Sequence, residues 1–122
     1  MHLNDISGKV IGAAYKVSNT LGAGFLEKVY ENAMMLELEP TGLTAFQQKP
    51  ISVYYKGSIV GEYFADIMVE NEIVVELEAV RVIDNIHLAQ TMNYLKSTKL
   101  KLGLIINFGN PKVEIKRVVN HF

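Results

Sequence analysis

Asp66 and Glu76 are the residues whose types and spacing most directly imply chemistry. Asp66 lies in Glu62-Tyr63-Phe64-Ala65-Asp66-Ile67-Met68-Val69, and Glu76 in Ile73-Val74-Val75-Glu76-Leu77-Glu78. Both segments are rich in β-branched and aromatic residues, and Glu70-Asn71-Glu72 between them is short and polar, as a hairpin loop is. With that loop, Val69 pairs with Ile73 and the register sets Asp66 across from Glu76. Direct cross-strand neighbours have Cβ atoms about 4.5–5.5 Å apart, and like charges there are destabilising. Glu78 lies two residues beyond Glu76, so the pleat points it to the same face. Phe64, Met68 and Val74 share these faces, which predicts a covered site rather than a solvated one. A cation held between the acids would remove the repulsion. Every donor is an oxygen, which selects a hard divalent ion, Mg²⁺ or Mn²⁺.

The elements that must position these acids follow from periodicity. Val10, Ile11, Ala14, Val17, Ser18 and Leu21 have helical spacing and predict a first helix over about Ile6 to Leu21, with Asp5 or Ser7 as N-cap. Gly22 and Gly24 end it. A second helix is predicted from about Phe25 to Glu39, with Leu26, Val29, Tyr30, Ala33 and Leu36 as its apolar stripe and Pro40 and Gly42 as its stop. Glu27 falls at the margin of that stripe, beside Tyr30 and Met34, placed to reach inward as a further ligand or simply to favour a helix start. Pro50 to Tyr55 reads as a strand, and Lys56-Gly57 as a tight turn into the strand that bears Asp66. A third helix is predicted from an Asp84 cap to Thr98, with Leu88, Met92 and Leu95 buried. On it His87, Gln90 and Tyr94 fall within about 60° of one another, a polar edge beside the buried face. Leu102 to Asn107 is a continuous apolar run, as in a strand covered on both faces. Val113 to Val119 alternates like an edge strand. The order ααβββαββ describes a mixed sheet flanked by helices, an α/β fold.

Gly24-Phe25-Leu26-Glu27-Lys28-Val29-Tyr30 resembles the pattern that names the GxxExxY proteins. Asp66, Glu76-Leu77-Glu78-Ala79-Val80, Gln90-x-x-x-Tyr94 and Gly103-Leu104-Ile105-Ile106-Asn107-Phe108-Gly109 follow in that family's order. The resemblance implies a restriction-endonuclease-like, PD-(D/E)XK core and metal-dependent hydrolysis of phosphodiester bonds in DNA or RNA. It places the metal on Asp66 and Glu76, with Glu27 in support, and matches Gln90 and Tyr94 to the helix of exonuclease-like branches; on our reading the Leu77 carbonyl completes the shell and Gln90 with Tyr94 orient water or phosphate. Glu78 stands where the signature has lysine. A lysine there offsets charge developing on the phosphate, whereas a glutamate adds a ligand or a base. The substitution keeps open a catalytically degenerate nuclease fold acting as a nucleic-acid or protein binding module, and a small subunit whose substrate surface another chain supplies.

Bulk properties set the frame. The chain has 122 residues, 49% hydrophobic and 20% charged, as expected of one globular domain over 1–122. A formal net charge of −1 gives no global attraction to polyanions, so a nucleic-acid site must be local. Without cysteine there are no disulfides or thiolate metal sites, and a cytoplasmic location is the expectation. No apolar run reaches membrane-spanning length. Monomer and homodimer are both compatible with the sequence. His87 reads as a surface or supporting residue, Lys96 as projecting away from Gln90 and Tyr94, and the lysines from Lys99 to Lys116 with Arg117 as solubilising charge.

Overall fold

The computed structural model describes residues 2–121. Two helices come first, α1 (Leu3–Leu21) and α2 (Glu27–Leu38), followed by a 3-10 turn (Glu39–Thr41). Then come β1 (Ala45–Tyr55), β2 (Ser58–Val69), β3 (Ile73–Glu78), α3 (Asn85–Thr98), β4 (Leu102–Asn107) and β5 (Glu114–Val119). The strands form one sheet in the order β1-β2-β3-β4-β5, antiparallel throughout except for the parallel β3–β4 pair, which α3 connects. This is the mixed, helix-flanked α/β sheet that the residue pattern predicts.

The sheet is covered on both faces because successive residues of its central strands, pointing to opposite faces, are apolar. Ile73, Val75 and Leu77 of β3, with Leu104 and Ile106 of β4, join Ile6, Val10, Ala14 and Val17 of α1 and Tyr30, Met34 and Leu38 of α2 in one core. Val74 and Ile105 point the other way and pack with Met68, Tyr94, Leu95 and Val118. By the same alternation Glu76 falls on the α3 side. All of β4 is buried, as its continuous apolar run requires. The loop Glu70-Asn71-Glu72 joins Val69 to Ile73 in the predicted register.

Several local expectations are corrected. The first helix starts at Leu3, capped by His2 rather than by Asp5 or Ser7; Ser7 is buried and accepts a hydrogen bond from Arg117. The stripe of α2 is rotated. Leu26, Val29 and Leu36 are exposed, whereas Tyr30, Glu31, Met34 and Leu38 face inward. Tyr30 sets this phase. Its hydroxyl donates to the Gly22 carbonyl at 2.6 Å, accepts from the Phe25 N–H at 3.2 Å, and its ring stacks on Phe108 with centroids 4.5 Å apart. Gly24, at φ 114°, supplies the backbone that this turn needs. The strand expected from Pro50 starts at Ala45, and Phe64, expected inside, is 48% exposed.

Asn107 fixes the end of β3. Fully buried, it accepts from the N–H groups of Val80 and Gly109 and donates to the Val80 carbonyl. Gly109 packs so closely on Val80 that any Cβ there would overlap the Val80 carbonyl. Asn107→Ala would leave these buried backbone groups without partners, at about 1–3 kcal/mol for each one that water cannot reach. Urea denaturation should therefore give a loss of about 3 kcal/mol, and Asn107→Ala with unchanged stability would remove this clasp from the account of the fold.

Candidate functional site

The site forms where β2 and β3 part. Their regular pairing covers only Ile67 with Val75, Met68 with Val74 and Val69 with Ile73. At the next rung side chains replace backbone carbonyls. Glu76 Oε2 accepts from the Asp66 N–H at 2.8 Å, and Asp66 Oδ2 accepts from the Leu77 N–H at 2.8 Å. Asp66 and Glu76 are thus brought together in the predicted register, but each is tied to the other's strand rather than facing its partner as a free carboxylate. The backbone donors lower the repulsion that a direct face-to-face pair would carry.

On the outer side, β1 breaks its own ladder opposite Asp66. Gln48 has φ 51°, lies between the paired residues Gln47 and Lys49, and donates to Asp66 Oδ1 at 3.4 Å. The same amide donates at 3.0 Å to Glu31, a residue that the sequence reading missed. Glu31 is 4% exposed and also accepts from Gln47 at 2.7 Å and from Lys28 at 2.9 Å. Position 31 shares a helical phase with Glu27, Tyr30, Met34 and Leu38, but the apolar Leu26, Val29 and Leu36 of the other face mask that phase in the sequence.

Electrostatics ties the acids together. Burial, followed by the negative charge of Asp66, pushes the Glu76 carboxyl up to about 9. Asp66 is raised mainly by burial, with the charge of Glu31 adding to it and the Leu77 N–H, Gln48 and Lys28 opposing it. Burial raises Glu27 and Glu78 as well, and each also feels Asp66. Glu27 begins α2, where the helix dipole favours an acid, and the Tyr30 clasp on the preceding turn holds it near the group.

From the other side, α3 delivers His87, Gln90 and Tyr94. His87 Nδ1 accepts from the Asp84 N–H at 3.0 Å in a capping box, which leaves Nε2 to face Glu78 Oε2 at 3.7 Å. The sequence reading gave Glu78 no such partner; histidine at the third helical position of a capping box is an unusual signal. Gln90 donates to the Tyr94 hydroxyl at 2.7 Å. Tyr94 is buried in the α3-side core and feels the charges of Glu76 and Asp66, so it is more than a surface polar edge. Lys96 lines a cleft together with Gln90 and Tyr94, although its helical angle predicted a different direction.

The donor chemistry fits a hard divalent cation: carboxylate oxygens from Asp66, Glu76, Glu78 and Glu27, all raised in the direction that a nearby positive charge would reverse. Among the described residues, however, no three His, Asp or Glu side chains are gathered at metal-holding distance. Asp66 and Glu76 each commit an oxygen to backbone. A cation would be held by their remaining oxygens, with Glu78 or Glu27 turning in.

A profile of the PD-(D/E)XK nuclease superfamily matches residues 4–118. No curated protein matches the chain. Among solved structures, one described as the crystal structure of SSO0001 is similar with a TM-score of 0.57 at 15% identity, over 78% of this chain and 51% of that one. This chain therefore spans about half the length of that structure, and at such identity the likeness is one of fold. No helix among the described residues is long and apolar enough to cross a membrane. The mixed sheet between helices, the hairpin acids where β2 and β3 part, and a profile match over nearly the whole length agree, and the chain belongs to the PD-(D/E)XK nuclease superfamily.

Proposed function

We propose that the chain is a metal-dependent nuclease of the GxxExxY type, hydrolysing phosphodiester bonds in DNA or RNA with Mg²⁺ or Mn²⁺. The observation that carries this reading is the pair formed by buried Glu76 and half-buried Asp66, crossed at the point where two strands separate. Asp66, Glu76 and Glu27 are the ligands. A bound divalent cation supplies charge neutralisation at the phosphate and acidifies water. The protein does the rest. Glu78, half-buried and facing His87, takes the proton of the attacking water, while His87, fixed by its own cap hydrogen bond, holds the carboxylate in place. Gln90 and Tyr94, already bonded to each other, orient water or phosphate. Lys28, ion-paired with Glu31, is the lysine whose charge acts on Asp66.

A second reading has a specific observation in its favour. Glu78 replaces the signature lysine, and a site without that lysine suits a decayed nuclease that binds nucleic acid or protein without cutting. Activity separates the two. For the nuclease, Mn²⁺-dependent cleavage of single- or double-stranded DNA or RNA should be measurable. Asp66→Ala and Glu78→Ala should each lower it by about a hundredfold or more, the scale of a lost general base or ligand. An inactive wild type whose Glu78→Lys variant gains cleavage would establish the decayed reading.

Cation binding should stabilise the folded chain by mass action, about 2.7 kcal/mol when metal is a hundredfold above its dissociation constant. The melting temperature should rise in millimolar Mg²⁺ or Mn²⁺ and respond much less in Asp66→Asn. An equal response in both proteins would place the metal elsewhere.

The pH dependence of the metal-free protein has a definite sign. Folded Glu76 holds its proton to about pH 9, whereas the unfolded chain releases it near its ordinary value of 4.5. Across that interval the folded state binds the extra proton, so stability is full below about 4.5 and falls as pH rises towards 9. Raised Asp66, Glu27 and Glu78 act in the same direction. Without metal, the melting temperature should drop by roughly 5 °C or more from pH 5 to pH 8. Glu76→Gln should flatten that slope, and a rising slope in wild type would contradict the buried, protonated acid.

A further inference from the structure

Beyond its pairing with β3, β2 continues with β1 as a two-stranded arm that overhangs α3. Between the arm and the helix lies a cleft of about 500 Å³, within the usual range of ligand pockets. Its apolar wall comes from Val53 on the arm and Ile86 on the helix, and its aromatic surface from Tyr63 and Tyr94. Those rings are tilted at 46° with centroids 5.8 Å apart, but they are not equivalent. Tyr94 is buried with its hydroxyl bonded to Gln90, whereas Tyr63 is 51% exposed and offers a ring face. Asn93, one helical turn after Gln90, adds an amide that both donates and accepts, and Lys96 adds a positive charge. The cleft also adjoins the acids: Tyr63 is three residues from Asp66 in β2, and Tyr94 feels the charges of Glu76 and Asp66.

We propose that this cleft receives one unpaired nucleobase of a single-stranded nucleic acid, stacked on Tyr63, read by the amide of Asn93, with Lys96 beside its phosphate. Carboxamides match the donor and acceptor edges of bases, and aromatic rings stack on any of the four. A base inside a duplex has its faces stacked and its edge paired, and cannot enter a concave site of this size without being extruded. The inference deepens the proposed function by making a single strand, or a frayed end, the substrate class. It rests on that reading only for the word substrate, because occupancy of the cleft needs no metal and no cleavage.

The test is binding in EDTA at low salt, with a short DNA single strand carrying 2-aminopurine, the same strand in RNA, and each annealed to its complement. At least one single strand should bind with quenched 2-aminopurine fluorescence, and its duplex about tenfold more weakly without added quenching. Tyr63→Ala and Asn93→Leu alter exposed residues, so both variants should melt as wild type does. They should nevertheless bind the single strand about tenfold more weakly, and Tyr63→Ala should lose the quenching. Equal binding of duplex and single strand, unquenched binding, binding unchanged in both variants, or no binding of either single strand overturns the pocket. A protein that passes this test yet never cleaves in Mn²⁺ keeps the pocket and loses the nuclease reading. One that cleaves duplex equally well in both variants does the reverse.

Discussion

The structure is organised around two carboxylates set side by side, Glu76 buried and Asp66 half-buried. Removing ionised acids from water is costly, and neighbouring negative charges raise the cost. Three responses are visible. Glu76 retains its proton to about pH 9. The N–H groups of Asp66 and Leu77 turn from ladder partners into donors to the acids, which requires β2 and β3 to separate after three paired positions. Gln48 takes a left-handed backbone conformation to put its amide between Asp66 and Glu31. The short β2–β3 ladder and the break in β1 both fall at this pair.

The two helical layers serve the acids in different ways. On one side, α2 brings Lys28, Glu31 and Glu27, and its phase is set by Tyr30, which bridges the α1–α2 turn and Phe108 at the far end of β4. The glycine-to-tyrosine segment that appears in the sequence as a motif is therefore largely a device for placing the first turn of a helix. On the other side, α3 brings His87 to Glu78 and a hydrogen-bonded Gln90–Tyr94 pair.

How much of this was legible depended on how strongly each residue's pattern was constrained. The Asp66–Glu76 register could be read because a three-residue polar loop between alternating strands permits little else. The element order and the covered β4 could be read because period and composition agree there. The phase of α2 could not. Apolar residues occur on both of its faces, and the choice between them was made by a tyrosine hydroxyl bonded eight residues back, which no hydropathy pattern contains. Glu31 was lost with that phase. Phe64 misled because alternation predicts a buried face only where another layer covers it, and the arm extends past that cover. His87 was hidden because its orientation follows from an atypical cap.

The clasp of Asn107 on Val80 bears on how freely position 78 can change. The backbone at residue 78 is held from β4, through the Phe108 N–H to the Glu78 carbonyl and through Asn107 to Val80 two residues on. None of these bonds involves the side chain at 78. The strand backbone therefore makes no demand on that side chain, whose contact is with His87 of α3. A change of charge at 78 is thus felt at the acids and at His87, and not in the strand that carries it.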